Sequence, residues 1–250
     1  MTRKLLICGL LAGLLAGLLA FGFMTAAGEP AVDQAIAYED AHTPPGQAEP
    51  ELVSRDKQKG IGLLTASTVY GLSFGGIFAL VFAFAYGRVG RAGPFRTALW
   101  LAAAAFVVVY VVPFVKYPPN PPAVGDPDTI GERTLLYLTM VWISILAAVA
   151  AVRLRRSVAA RRPEGVATLV AVAAYLLIVV IAGLALPGMH EVPKDFPATT
   201  LWRFREASLG TQLVMWTTIG LTFAALAERV MTGRPILSTT RSRATAAAGE

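Results

Sequence analysis

Six long stretches of this 250-residue chain contain no Asp, Glu, Lys, Arg or His, and no other feature constrains the fold as strongly. They are residues 5–28, 60–87, 97–115, 134–152, 165–189 and 207–227. Each stretch is long enough to cross a bilayer core, which takes roughly 17–25 helical residues. Only 15% of the whole chain is charged, whereas soluble domains usually carry about 25%.

The pattern predicts an all-α polytopic integral membrane protein with about six transmembrane helices. We expect the spans near 5–26, 61–87, 97–115, 132–152, 166–187 and 208–230, in a single membrane domain over residues 1–232. Residues 233–250 are polar and rich in Ala, Thr and Arg. That composition predicts a disordered cytoplasmic tail.

The distribution of Lys and Arg predicts which side of the membrane each segment faces. With a cytoplasmic N-terminus, the inside segments hold fourteen Lys or Arg against three acids, and the outside segments hold eight against thirteen. Short loops rich in Arg stay on the cytoplasmic side. We therefore expect both termini inside, in the inner (cytoplasmic) membrane. The net charge of +6 then reflects topology and not a nucleic-acid partner.

The first span follows Arg3 and Lys4, as a secretory leader would. Its apolar run covers residues 5–24, however, and signal peptides have apolar cores of only about 7–15 residues. We therefore expect a retained helix. Gly9, Gly13 and Gly17 recur at a spacing of four, which places them on one face and lets a second helix approach closely.

The predicted outer segments differ in character. The first, residues 29–59, begins with a helix-compatible part and is interpreted as a solvated linker. The second, residues 116–129, contains five prolines, which fix φ and remove donors, so we expect a stiff, extended loop. Thr129 followed by Glu132 matches a capping box and predicts that the fourth span starts near Ile130.

The third outer segment leads into the last span. Asp195 is a candidate N-cap, because aspartate oxygens accept hydrogen bonds from the first amides of a helix. Residues 201–205 are expected to form a short interfacial helix, with Trp202 and Phe204 at the level of the lipid headgroups.

Sequence motifs typical of soluble enzymes are absent. The chain has no Gly-rich phosphate loop, no paired cysteines, no nucleophile elbow and no His-Glu-x-x-His. The spans also lack the ionisable residues that usually mark ion sites inside a membrane. We therefore predict that the protein is not an enzyme. An ion within the spans would meet backbone oxygens and hydroxyls such as those of Tyr70, Tyr110 and Ser144.

The side chains that could bind a divalent metal all lie in the predicted outer segments. They are His42, Asp126, Asp128, His190, Glu191 and Asp195. Imidazole and carboxylate together suit first-row divalent cations. Because His190 and Glu191 directly follow the fifth span, we expect them, with Asp126 or Asp128, to receive a metal ion there.

The same segments carry extended motifs. They are Glu29-Pro30, Asp33 and Ala35-Ile36, residues 116–127, Thr129-Ile130-Gly131, Glu191-Val192-Pro193, and residues 196–212. These motifs resemble those of the CbtA family, whose members are described as probable cobalt transporter subunits. The resemblance implies a membrane subunit for Co²⁺ uptake, with Co²⁺ as the transported substrate and no permanently bound cofactor. It also implies a small companion, CbtB, with one span and a histidine-rich end.

The favoured interpretation is thus a cobalt permease component in a lipid bilayer, acting with that companion and compatible with a homo-oligomer. Two other functions stay open at this point. One is a non-transporting membrane scaffold whose outer loops dock a partner. The other is a membrane enzyme acting on lipid at the outer face. Metal-dependent uptake would distinguish the three.

Overall fold

The computed structural model describes residues 1–44, 53–90 and 92–233. Within them are six helices long and apolar enough to cross a membrane: α1 (Thr2–His42), α2 (Arg55–Ala85), α3 (Pro94–Lys116), α4 (Pro127–Ala159), α5 (Glu164–Ala185) and α6 (Ala198–Thr232). The described residues contain no strand. The predicted all-α membrane protein with six transmembrane helices is confirmed. The predicted tail, apart from Gly233, lies outside the described residues.

Helix α1 continues well past the predicted span 5–26, and the helix-compatible start of the first outer segment is helical in the structure. The helix passes through a π-helical segment, Met24–Gly28, and continues as the α-helix Glu29–His42. A proline ring clashes with the carbonyl four residues earlier, and the wider π-helical turn lies just before Pro30. Helix α3 repeats this arrangement, with the π-helical segment Phe106–Val111 ahead of Pro113.

Helix α6 also starts earlier than the predicted span 208–230. Residues 201–205, predicted as a separate interfacial helix, form its first turns, and Pro197 occupies the cap position predicted for Asp195. Likewise, α2 and α4 extend beyond 61–87 and 132–152, to Arg55 and Ala159 respectively. Arg, Lys and Glu are good helix formers, so a helix does not stop where its apolar stretch stops.

Helices α1, α2, α3 and α6 share one hydrophobic core. Phe82 of α2 and Met215, Ile219 and Phe223 of α6 are among its largest fully buried side chains. The rings of Phe82 and Phe223 meet edge to face with centroids 5.0 Å apart. Such a ring pair adds about 0.5–1.5 kcal/mol to the stabilisation that burial provides. These four helices form the packed centre of the bundle.

Helices α1 and α2 touch backbone to backbone along a glycine seam. The seam consists of Gly9, Gly13 and Gly17 facing Gly75, Gly71 and Ser67. A Cβ at Gly13 would lie 2.2 Å from the carbonyl oxygen of Gly71, a distance that real Cβ contacts essentially never show. The close approach predicted from the glycine spacing is confirmed. Small residues allow this contact, and dispersion between the two backbones then stabilises it.

Helices α4 and α5 form a second unit. Met140 and Ala147 of α4 pack with Val179 of α5. This pair meets the C-terminal half of α3 and the residue after it, through Val112 and Tyr117.

The two ends of the bundle differ. The segments after α1, α3 and α5 lie together at one end, which we call the loop end (described residues 43–44, 53–54, 117–126 and 186–197). The opposite end, which we call the arginine end, holds Thr2, Thr232 and the connections after α2 and α4. There the Phe95 amide at the start of α3 donates to Glu228 Oε2 at 3.0 Å. Arg156 donates to the carbonyl oxygen of Arg88.

Candidate functional site

The proline-rich loop, residues 117–126, is anchored to two other segments. The Tyr117 hydroxyl donates to the Pro187 carbonyl oxygen at 2.8 Å, and Arg205 Nη2 donates to Asn120 Oδ1 at 3.0 Å. Burial raises the pKa of the Tyr117 hydroxyl, so this donor keeps its proton at neutral pH. Because prolines restrict φ, a loop tied at these points has few alternative conformations. The stiffness of the loop stays a prediction, which these contacts favour, and the predicted extended backbone is interrupted by positive φ at Ala123 and Gly125.

A small hydrophobic cluster joins the loop-end segments. Ala35 of α1, Val124 of the proline-rich loop and Phe196 before α6 are buried against one another. Beside them, the Thr200 hydroxyl donates to Gln34 Oε1 at 3.0 Å. The part of α1 beyond the apolar stretch therefore has its own packing face, which explains why the helix does not end near residue 26.

Ion pairs hold the start of α2 against the part of α1 that extends beyond its apolar stretch. Arg55 Nη2 forms an ion pair with Glu29 and lies 3.1 Å from Asp33 Oδ1. The Glu29 side chain is only 14% exposed, so this pair is better shielded from water than an ordinary surface pair.

Glu191 lies at the centre of a network that we call the Glu191 clasp, formed with Thr129, Asp126 and Arg133. The Glu191 carboxylate is 2.6 Å from the Thr129 hydroxyl and 3.3 Å from the Asp126 amide nitrogen. Arg133 Nε lies 3.3 Å from Glu191 Oε2. The carboxylate is only 14% exposed. The clasp therefore joins the segment after α5 to the first turns of α4 by a partly buried ion pair.

The clasp replaces the predicted capping box at the start of α4. The α-helical part does begin at Ile130, as predicted, but Thr129 makes no side-chain cap hydrogen bond. Its hydroxyl is directed to Glu191 and to the Asp126 carbonyl oxygen. Asp126 takes over the cap, with Oδ1 accepting from the Asp128 amide at 2.9 Å.

The backbone of the proline-rich loop turns sharply just before the clasp. Ala123 and Gly125 have positive φ, 67° and 123°. A Cβ at Gly125 would lie 2.1 Å from Arg133 Nη1. The glycine thus lets the guanidinium lie against the loop, where Nη2 donates to the Asp126 carbonyl oxygen at 3.2 Å. The turn places Arg133 beside Glu191.

A second cluster pairs His42, at the end of α1, with Asp195. His42 Nε2 lies 3.2 Å from Asp195 Oδ2, and Nδ1 lies 2.8 Å from the Tyr38 carbonyl oxygen. The imidazole stacks on the Tyr38 ring with centroids 4.0 Å apart. A hydrogen bond from the Tyr38 hydroxyl and, to a smaller degree, the nearby imidazole lower the pKa of the Asp195 carboxyl. The two side chains are 53% and 64% exposed, so water reaches the pair.

The structure divides the predicted metal-binding residues into two groups and leaves His190 apart. Glu191 and Asp126, whose carboxylate accepts from the Asp128 amide, form one group, and His42 with Asp195 forms the other. The His190 side chain is exposed, and its ring lies against Gly188. Among the described residues no three His, Cys, Asp or Glu side chains converge as a metal site would require. The predicted grouping of His190 with Glu191 and an aspartate is therefore not assembled in this structure.

A groove of about 470 Å³ opens at the loop end between the end of α1 and the proline-rich loop. Its polar lining includes Glu39, His42 and Arg133, and its apolar lining includes Tyr38 and several prolines. His42 belongs to the His42–Asp195 pair and Arg133 to the Glu191 clasp. The groove therefore runs between these two charged clusters.

The sequence indicates only part of the polar contacts inside the bundle. Tyr70 and Ser144 are expected as polar groups within the spans, and in the structure they pair with Gln212 and Tyr175 respectively. Neither partner is predicted as a polar contact. Gln212 is the sole carboxamide in the six charge-free stretches, a signal that could have identified it. These neutral oxygens are what the spans offer to a polar substrate.

Comparison with known proteins gives one match. The family model of CbtA, described as probable cobalt transporter subunit, matches residues 2–228. Neither the curated proteins nor the solved structures contain a match. The matched range takes in α1 to α5 and nearly all of α6, together with both charged clusters at the loop end. The chain therefore belongs to the CbtA family of probable cobalt transporter subunits.

Proposed function

We propose that the protein mediates Co²⁺ uptake across the cytoplasmic membrane, acting with a small, single-span, histidine-rich companion of the CbtB type. Family membership is the observation on which this proposal rests. The charge distribution supports it, because both histidines lie towards the loop end and most arginines of the described residues lie towards the other end. Following the distribution of Lys and Arg, we place the loop end outside and both termini inside.

The membrane potential is sufficient to drive such uptake without nucleotide hydrolysis. An inward-moving cation gains about 2.3 kcal/mol per charge for each 100 mV, or about 4.6 kcal/mol for a divalent ion. At 1.4 kcal/mol per decade, this corresponds to accumulation by about three orders of magnitude. The sequence carries no nucleotide-binding motif, so the proposal assigns no ATP to this subunit.

The proposed route begins at the loop end and continues through neutral groups. The candidate first ligands are His42, Asp126, Asp128, His190, Glu191 and Asp195. Within the spans, hydroxyls and the Gln212 carboxamide follow. An ion must be bound well enough to enter a pathway and weakly enough to leave it. Charged ligands at the loop end would attract the ion, and the neutral oxygen ligands that follow would bind it weakly enough to release it.

Cobalt uptake by whole cells tests the function. Accumulation of radioactive cobalt is compared in cells carrying this gene alone, the companion alone, both, or neither. We expect accumulation to require this chain, to rise with the companion, and to fall when an uncoupler collapses the membrane potential. Equal accumulation with and without the chain would refute transport and favour a scaffold or a lipid-modifying enzyme.

The proposed orientation predicts a labelling pattern. Lys194 and Ser157 are both exposed, the first at the loop end and the second near the arginine end. In a Cys8→Ser background, an impermeant maleimide should label Lys194→Cys on intact cells and Ser157→Cys only after permeabilisation. The reverse pattern would show that the loop end faces the cytoplasm.

A further inference from the structure

The two contacts of the His42 ring determine which of its nitrogens carries a proton. A neutral imidazole carries one N–H and one lone pair. The Tyr38 carbonyl oxygen, 2.8 Å from Nδ1, can only accept, so the single proton of neutral His42 lies on Nδ1. Nε2 then directs its lone pair at Asp195 Oδ2, 3.2 Å away. Two electron-rich atoms at this distance repel each other unless a positive charge lies between them, either a second ring proton on Nε2, which makes an ordinary ion pair, or a metal ion.

The arrangement around His42 is that of a metal ligand. Histidines that bind metals almost always donate their other ring N–H to a carbonyl or carboxylate, which fixes the tautomer and the ring orientation. The Tyr38 carbonyl oxygen occupies that position, and stacking on the Tyr38 ring also limits rotation of the imidazole. Nε2 is the ring nitrogen that the carbonyl does not engage, and it faces the Asp195 carboxylate, on a segment far away in sequence.

The distance between the two atoms also suits one shared ion. A nitrogen and an oxygen that each lie about 2.1 Å from a divalent first-row metal, at an angle of about 90–110°, are about 2.9–3.4 Å apart. The observed separation of 3.2 Å falls within this range. Imidazole nitrogen with carboxylate oxygen is a ligand combination that first-row divalent cations accept.

We propose that His42 Nε2 and the Asp195 carboxylate together bind one divalent first-row metal ion, with water in the remaining coordination positions. The identity of the ion, Co²⁺, rests on the proposed transport function. His42 and Asp195 are then the first protein ligands that the ion meets. No further His, Cys, Asp or Glu completes the site among the described residues. A half-hydrated, two-ligand site holds an ion briefly and releases it, as transport demands.

The surroundings of the pair fit this role. Both side chains are more than half exposed, so a hydrated ion reaches them without any rearrangement. His42 also lines the 470 Å³ groove, whose other charged lining residues are Glu39 and Arg133. The groove offers an ion released from the pair one carboxylate, Glu39, and one guanidinium that would repel it, that of Arg133, which is paired with Glu191.

Direct binding of cobalt tests the site. CoCl₂ is titrated into the purified full-length protein in lipid nanodiscs, followed by calorimetry and by the visible absorption of Co²⁺. His42→Ala and Asp195→Asn should each weaken binding by at least about 10-fold, because even the outer-shell partners of metal ligands are worth about 10- to 100-fold. The double variant should lose little more than either single variant, because both remove the same two-ligand contact. Asp40→Asn, an exposed carboxylate on the same helical extension, is the matched control and should bind like the wild type.

The titration separates this proposal from the proposed function. Unchanged affinity in both His42→Ala and Asp195→Asn would overturn the site, as would loss confined to His190→Ala. If cobalt causes no change in visible absorption, the pair holds a proton and not a metal. That result also overturns the proposed site. If the wild-type protein binds cobalt through His42 but cells carrying it transport no cobalt, the transport function is refuted and the metal site stands.

Discussion

Gly13→Ala is expected to lower the free energy of unfolding by about 3 kcal/mol, the upper part of the range for overpacked sites. The added Cβ would lie 2.2 Å from the Gly71 carbonyl oxygen and 3.1 Å from the Gly75 Cα atom. These are backbone atoms, which cannot turn aside as the end of a side chain can. Helices α1 and α2 must therefore separate along the glycine seam. Thermal unfolding of the purified protein in detergent measures the effect.

Gly22→Ala in the same helix provides the matched control. Apart from its chain neighbours and its own helix backbone, no atom of the described residues lies within 4 Å of a Cβ at Gly22. This variant should be neutral or gain up to about 1 kcal/mol, because alanine favours the helix over glycine. If the two variants lost the same stability, the general loss of glycine and not the helix contact would be responsible.

The reciprocal variant tests whether the seam acts as one contact. A Cβ at Gly75 would lie 2.2 Å from the Gly9 carbonyl oxygen and 2.7 Å from the Gly13 Cα atom. Once Gly13→Ala has moved the helices apart, Gly75→Ala meets more space. The double variant should therefore lose less stability than the two single losses added together. Because α1 continues without a break to His42, moving this helix also shifts the residues proposed to bind the metal.

The parts of the fold that sequence analysis predicts correctly depend on local patterns. A charge-free length indicates a span, and a glycine spacing of four indicates a contact face. Helix ends are harder to predict, because they depend on packing between distant segments. Ala35 and Phe196 meet only in the folded protein, and nothing local in residues 29–42 indicates that the helix has a partner there.

In the candidate site, too, local patterns predict some features, and contacts between distant segments determine the others. Alternation of spans across the membrane places the candidate ligands at one end, and the structure confirms that they lie towards one end of the bundle. Which residues pair depends on how segments meet that are far apart in sequence, such as those containing His42 and Asp195. Thr129 illustrates the consequence. Its local pattern predicts a capping box, but its hydroxyl is directed to Glu191, which lies 62 residues further along the chain.

Arg133→Met is expected to destabilise the loop end by about 2 kcal/mol, part of the roughly 3–5 kcal/mol measured when a fully buried ion pair loses one partner. The variant leaves the Glu191 carboxylate, 14% exposed, without its cation. Thermal unfolding and amide hydrogen exchange of residues 117–126 measure the change. Arg155→Met is the matched control. Its ion pair with Glu164 spans 3.8 Å, and its hydrogen bond to the Thr168 hydroxyl is open to water, so little loss is expected.

The double variant Arg133→Met, Glu191→Leu tests the Glu191 clasp and the role of Glu191 together. Removing both charges leaves no carboxylate unpaired, so the double variant should be at least about 1 kcal/mol more stable than the sum of the single losses predicts. Strictly additive losses would show that the two side chains do not act as a pair. In the structure the Glu191 oxygens are already engaged by Thr129, Asp126 and Arg133. We therefore expect the double variant to bind Co²⁺ as tightly as the wild type. Weakened Co²⁺ binding in a double variant of recovered stability would identify Glu191 as a ligand that gives up its contact with Arg133 when the metal arrives.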